Sequence, residues 1–369
     1  MGTKVDTVSD AVAAMQPDWQ LITDLLGGTK AMRAAGVRYL PKRAMEEQTD
    51  YDARLSAATL FPAFAETIAR MVGRVFSEPV TPNDDVPEWI AGEVLPDVDR
   101  QGRNLHVWAK EWFREALALG LSHCLVEAPR AEGVRTRADQ RRAGVRPYLI
   151  RISPDRVLGW REVEGVLTQA RIKFWRNEED GDFGTRTIEQ VRVYEIGRVR
   201  TYEKGAEGKW AAVDDVLTGM ERIPLITLYN QRTGMLTATP SGNDTLIDTA
   251  SVPILSMAGV QDGDDVIIGA KHAVRLPTGA SLQYVEHSGA AIESGRKALL
   301  DLVEEMRQAG AKLLQPAEGN RTATEAREDA ANDNSQLGGM ASQLQDTLVD
   351  VLDLVAEYRG QEAGGPVQL

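Results

Sequence analysis

The sequence is short of the residues from which thiol and metal chemistry is built. Its 369 residues contain one cysteine, Cys124, so no intramolecular disulfide and no thiolate metal site can be assembled. A lone cysteine suits a reducing cytoplasm, and within the apolar stretch Leu119-Gly-Leu-Ser-His-Cys-Leu-Val126 it reads as a small buried residue. The four histidines, at 106, 123, 272 and 287, never fall at a metal-binding spacing, which argues against zinc. Runs of about 18 apolar residues are missing, and Met1 to Asp10 has no basic region followed by an apolar core, so neither a membrane span nor secretion is expected. Basic charge is scarce too: 42 Lys and Arg face 55 Asp and Glu, a formal net charge of −13. Such a chain lacks the footprint needed to wrap nucleic acid by neutralising phosphates, yet it can let nucleic acid pass.

Catalytic sets are equally sparse. Gly27-Gly-Thr-Lys30 lacks the upstream glycine and strand of a phosphate loop, and is expected to be a helix C-cap followed by a loop. Asp182-Phe-Gly184 matches a kinase tripeptide without a catalytic loop or strand lysine. Ser122-His123 lacks a nucleophile elbow, and Asp262, Asp264 and Asp265 lack the acidic residue that closes a calcium loop. Glu304 and Glu305 are adjacent on a helix and face different directions. No enzyme class, metal or cofactor is expected.

What the chain does have is length for two or three structural units and an ordinary apolar fraction. Residues 1–125 read as helical, with Trp19–Leu26, a long run Arg54–Phe76 carrying Pro62 near its start or at a kink, and Leu105–Leu119. Residues 126–146 hold the one basic cluster, Arg130, Arg135, Arg137, Arg141, Arg142 and Arg146. It is either a solvated loop or a contact for an acidic neighbour or a nucleic-acid backbone. Residues 147–240 switch to alternation, with strands at Tyr148–Ile152, Val157–Trp160, Val166–Trp175, Thr187–Ile196 and Pro224–Tyr229. Turns are signalled at Glu179–Asp182 and Gly205–Gly208. Residues 241–290 suggest two further strands, Val252–Met257 and Val266–Leu276, around the turn Gln261–Asp265.

Two long amphipathic helices close the chain. In residues 291–314 the apolar positions Ile292, Leu299, Leu302, Val303, Met306, Ala309 and Leu313 repeat at helical spacing. Residues 315–323 form a helix-breaking connector, and the long helix of residues 324–369 starts near Thr322 or Thr324, where Thr322-Ala-Thr-Glu325 resembles a capping box. The second helix continues through Leu337, Met340, Leu344, Leu348, Val351, Val355 and Tyr358, with a bend expected at Gly338-Gly339. Asp346, Asp350, Asp353 and Glu357 form one line on its other face. That line is either a solvated surface or a wall that repels a polyanion. Such a unit builds architecture rather than an active site.

The run Tyr51-Asp-Ala-Arg-Leu-Ser-Ala-Ala-Thr-Leu-Phe-Pro-Ala-Phe64, leading to Ile68-Ala-Arg-Met-Val-Gly-Arg-Val-Phe76, resembles the N-terminal signature of a portal-like family of tailed bacteriophages. Arg146-Pro-Tyr148 followed by Trp160, Tyr284-Val-Glu-His-Ser-Gly-Ala-Ala291 and Thr322-Ala-Thr-Glu-Ala-Arg327 resemble it too, in order along the chain. The resemblance implies an α+β portal fold and a ring-shaped homo-oligomer, commonly a dodecamer, at the unique vertex of a phage head. Its axis would carry double-stranded DNA. Its partners would be the terminase, a head-tail adaptor and the major capsid protein or scaffold, with assembly in the host bacterial cytoplasm and no membrane.

By order, residues 1–125 and 147–240 correspond to the helical and β-rich wing, 241–290 to the clip strands and 291–314 to a stem helix. The helix from residue 324 corresponds to the one that runs back through the wing towards the crown. Pro316, Ala317, Glu318, Gly319, Asn320, Arg321 and Thr322 correspond to the tunnel loop, although a plain helix connector accounts for the same residues. The acidic line Asp346, Asp350, Asp353 and Glu357 becomes a candidate channel lining that keeps DNA from sticking. After Thr233–Pro240 the family usually continues with a longer helix, whereas Ser241-Gly-Asn-Asp-Thr245 follows here at once, as in a shortened chain or one with residues missing. Relatives also often run on beyond Gly365–Leu369. A non-enzymatic phage adaptor or scaffold shares the acidic surface without needing an axial loop, and a nuclease or hydrolase of the same particle lacks its ligand set.

Overall fold

Pro62 separates two helices instead of sitting within one. The structure, a computed structural model, describes residues 4–60, 62–129, 145–205, 207–230, 232–238, 255–258, 281–284 and 323–369. Helices α1 (Asp10–Leu26), α2 (Gly28–Ala35), α3 (Gln48–Ala57) and α4 (Ala63–Val75) open the chain. The expected run Arg54–Phe76 is broken where Ala58 turns extended, with φ −60° and ψ 137°. The next helix starts with the Pro62 carbonyl accepting from Glu66 N. Proline supplies no N–H and keeps the residue before it out of the helical region, so it suits a helix start. At Gly27-Gly28 the expected loop is a helix-to-helix junction: Gly28 takes φ +67° and α2 follows at once. A left-handed residue ends one helix, and only glycine does so without steric cost.

The chain divides into two compact units, the first made of Met1–Ile22, Ile68–Gly242 and Ala323–Leu369. The second takes Thr23–Thr67 and Asn243–Thr322. In the second, Asp24 accepts from Arg38 at 2.9 Å and Tyr39 at 2.8 Å, and Glu46 is gripped by Arg54 through two bonds of 2.8 Å.

The first unit is built around α5 (Leu105–Leu119). Asn104 caps its start by accepting from Val107 N at 2.9 Å, and Gly120, at φ +85°, ends it. The chain then passes directly into β2 (Leu121–Glu127), a strand inside the region read as helical from its apolar residues. β2 is the centre of an antiparallel sheet, flanked by β3 (Tyr148–Ile152) and β9 (Leu225–Tyr229). Ser122 on one face of β2 bonds Glu115 of α5 at 2.6 Å. Leu125, on the opposite face by strand alternation, joins Ile152, Val157, Ile172 and Tyr194 in one core.

A second sheet is a five-stranded antiparallel meander of β4 (Val157–Val163), β5 (Val166–Asp180), β6 (Gly184–Glu195), β7 (Arg198–Lys204) and β8 (Trp210–Leu217). Strands β7 and β8 are not expected from the sequence, because charged and exposed residues interrupt their apolar alternation. The segment Val5–Ser9 straps this sheet: Arg171 donates to the carbonyls of Val5 at 3.0 Å and Thr7 at 2.7 Å, and Ser9 N to Leu158 O at 2.8 Å. Short pairs complete the strands: β1 (Thr81–Pro82) with β14 (Val367–Gln368), β10 (Arg232–Gly234) with β11 (Thr237–Ala238), and β12 (Leu255–Ala258) with β13 (Ser281–Tyr284).

Helix α6 (Ala323–Glu357) runs for 35 residues, about 52 Å at 1.5 Å per residue, and its expected cap Thr322 lies outside the described residues. It is not interrupted at Gly338-Gly339, both of which are exposed. Leu344, Leu348, Val351, Leu352 and Val355 are buried against the first unit, where α6 packs on β9 and β2. Met340, expected in the same seam, is only half-buried.

The expected strand Val252–Met257 overlaps β12, while Val266–Leu276 and the turn Gln261–Asp265 lie outside the described residues. So do the helix over residues 291–314 with Glu304 and Glu305, the loop Pro316–Thr322, and Arg130, Arg135, Arg137, Arg141 and Arg142.

Candidate functional site

The acidic line on α6 divides in two. Asp353 accepts from the backbone N–H of Gly364 at 2.7 Å, and Glu357 pairs with Arg222 at 2.5 Å. These two carboxylates hold the chain's own tail and the segment before β9, and both are half-buried. Asp346 and Asp350 are exposed. The Asp350 carboxyl is raised, first by partial burial, which Arg222 opposes and the neighbouring charges of Asp353 and Asp346 reinforce. The exposed carboxylates of the line are therefore Asp346 and Asp350, one helical turn apart.

The end of α6 is clamped. Arg359 stacks over the Trp89 ring at 3.9 Å and donates to Glu93 at 2.8 Å, while the Trp89 indole N–H donates to Gln361 at 2.6 Å. Glu93 lies on a π-helical turn, Ile90–Val94, whose Ile90 and Val94 are fully buried. Beyond it, Gly364 passes so close to α6 that an added Cβ would lie 2.1 Å from the Leu352 carbonyl.

A polar cluster that sequence spacing does not reveal joins four elements at the end of β2. Glu127 accepts from Arg192 at 3.0 and 3.2 Å, from Tyr194 at 2.5 Å and from Tyr148 at 3.3 Å. Next to it, the Tyr358 hydroxyl at the end of α6 donates to the Val126 carbonyl at 2.8 Å. Burial, then the Glu127 charge, pushes the Tyr148, Tyr194 and Tyr358 hydroxyls above their usual range, so all three stay protonated. Arg192 loses by burial but gains more from Tyr194 and Glu127, and is raised. A carboxylate with its acceptors filled by phenols and a guanidinium acts as a joint between these elements. Its members come from positions as far apart as 127 and 358, which is why no motif announces them.

Ser122, His123 and Cys124 serve the core. His123 is buried against Thr227 at 2.8 Å, and burial lowers its pKa to about 3, so its imidazole is neutral. Ser122 points to Glu115 and not to His123. Cys124 is buried, which raises its thiol well above the usual range. Asp182-Phe-Gly184 is the tip of the β5–β6 hairpin, with Phe183 fully exposed. Among the described residues no group of three or more His, Cys, Asp and Glu could hold a metal ion, and no helix is long and apolar enough to cross a membrane.

A model of a family described as a domain of unknown function, DUF4055, matches residues 218–359, from the approach to β9 to the end of α6. The chain matches no curated protein.

Proposed function

We propose that this chain is the subunit of a portal ring at the unique vertex of a tailed-phage capsid, a non-enzymatic channel for DNA packaging and ejection. The observation that carries the reading is topological. One compact body is made from chain on both sides of residues 243–322, with α6 returning to pack on β9 and β14 pairing with β1. That is the arrangement needed by a wing from which stem and clip depart and to which the chain comes back. The ordered portal-like motifs supply the rest of the argument.

In this reading the finer assignment is a portal fold, with residues 315–323 as tunnel loop and Asp346 and Asp350 as the acidic channel surface. Double-stranded DNA carries one charge per about 1.7 Å, and screening over about 8 Å at physiological salt restricts repulsion to side chains on the channel wall. Carboxylates there keep DNA mobile. The ring would dock a terminase during packaging and a head-tail adaptor afterwards, and would contact capsid or scaffold protein.

Deletion of the encoding gene from its phage tests the function. Heads that assemble without DNA, restored by the gene in trans, are the expected result. Normally filled heads without it would overturn the proposal.

A further inference from the structure

The second unit carries a basic surface on α2 and the turn after it. Residues 25–45 contain Lys30, Arg33, Arg38, Lys42 and Arg43 and no Asp or Glu, within a sequence of net charge −13. Arg38 reaches back to Asp24 at 2.9 Å, and Lys42 donates to the Gln48 amide oxygen at 3.3 Å. Lys30, Arg33 and Arg43 have no carboxylate partner among the described residues, and Glu46, the next acidic residue, is taken up by Arg54. In the first unit, by contrast, Arg146, Arg151, Arg192 and Arg200 each hold a carboxylate.

Arg33 also lines a recess of about 150 Å³, the size that holds one benzene ring. Helix α2 supplies Thr29 and Met32, the turn Tyr39 and Leu40, and α3 with the chain beyond it Leu55 and Ala58–Leu60. The wall Ala58–Leu60 is stapled to α2 twice. Arg33 Nε donates to the Ala58 carbonyl at 2.8 Å, and the Leu60 N–H donates to Thr29 Oγ1 at 3.1 Å. The recess is therefore preformed, and filling it does not require the wall to be ordered first.

The same stretch exposes Val37 and Met45, at 63% and 59%. Met45 has φ +66°, a left-handed backbone that so bulky a side chain rarely adopts. Cations alone would suit a phosphate backbone, which has nothing to place in an apolar recess. Cations beside an apolar recess suit a peptide in which an apolar side chain stands next to carboxylates.

We propose that the recess between α2 and α3 docks an acidic segment of a second protein, with one bulky apolar side chain in the recess and a neighbouring carboxylate on Arg33. Charge complementarity selects the occupant: Lys30, Lys42 and Arg43 are exposed and attract its remaining carboxylates. The carboxylate on Arg33 forms a charge-assisted bond at the edge of apolar surface and fixes the register of the segment. The inference stands on this unit alone and goes beyond the ring assembly proposed above.

Fluorescence anisotropy of the full-length protein with a labelled, end-blocked peptide Glu-Asp-Phe-Asp-Glu tests the site. Saturable binding is expected, about tenfold weaker for the same peptide with Ala in place of Phe, and weaker for both as salt rises. Lys30→Glu combined with Arg43→Glu changes two exposed side chains without a carboxylate partner. That variant should keep the wild-type melting temperature and bind the peptide about tenfold more weakly. Thr59→Trp, which fills the recess from an exposed position on its wall, should weaken binding as much at unchanged charge. Absence of saturable binding overturns the proposal. Equal binding of the Phe and Ala peptides, both displaced by a DNA duplex of about 20 base pairs, overturns it in favour of a nucleic-acid surface. Self-association that the double charge reversal abolishes, with the peptide left unbound, overturns it in favour of a second copy of this chain.

Discussion

The hydroxyl of Tyr194 on β6 donates to Glu127 at the end of β2 over 2.5 Å, joining the two sheets across 67 positions of sequence. Arg192 and Tyr148 share the same carboxylate, so its removal strands a partly buried guanidinium and a buried phenol. Glu127→Ala is expected to lower unfolding free energy by about 3 kcal/mol, and Tyr194→Phe, which deletes one bond, by about 1 kcal/mol. Urea titration measures both.

His123 makes stability depend on pH. Its folded pKa, about 3, lies below the ordinary value of 6.5, so the unfolded chain binds the extra proton. The stabilisation is complete above pH 6.5 and is lost as pH falls towards 3; from 6.5 to 5 it amounts to roughly 2 kcal/mol. Melts of wild type and His123→Asn at both pH values check this: the wild type should lose that much more than the variant.

Two glycines beside α6 or within it should respond with opposite signs. A Cβ at Gly364 meets the Leu352 carbonyl at 2.1 Å, and one at Gly338 meets nothing within 4 Å. Gly364→Ala should destabilise by about 3 kcal/mol through forced separation of tail and helix. Gly338→Ala should stabilise by up to about 1 kcal/mol, the helix-propensity gain. Paired thermal melts decide.

The exposed pair Asp346 and Asp350 carries the channel proposal. Asp346→Lys with Asp350→Lys should leave ring assembly unchanged and slow DNA packaging roughly tenfold, with the deficit shrinking as salt screens the new attraction. Normal packaging at low salt would remove these residues from the channel. The same reversal at Glu357 should instead destabilise the subunit, because it breaks the pair with Arg222.

Periodicity was a good guide where buried positions are interspersed with more exposed ones along an element. It placed α5 at Leu105–Leu119, β3 at Tyr148–Ile152 and the buried seam of α6 from Leu344 to Val355. It failed where burial is two-sided or absent. Leu121–Val126 is covered on both faces, so β2 carries no alternation, and β8 is exposed at most of its positions. Gly338-Gly339 suggested an interruption, but a loss of about 1 kcal/mol per glycine is small against the packing of the turns that follow. For the site, the line of four carboxylates was legible as spacing. That Asp353 and Glu357 are engaged was not, because Gly364 and Arg222 reach them only through tertiary structure. The joint at Glu127 was invisible for the same reason.

Native mass spectrometry of the purified full-length protein, with negative-stain class averages of the same sample, tests the central claim most directly. Closed rings of about twelve subunits around an open centre are the predicted result. A compact dimer without a channel, stable across concentration and in the presence of scaffold protein, would contradict it.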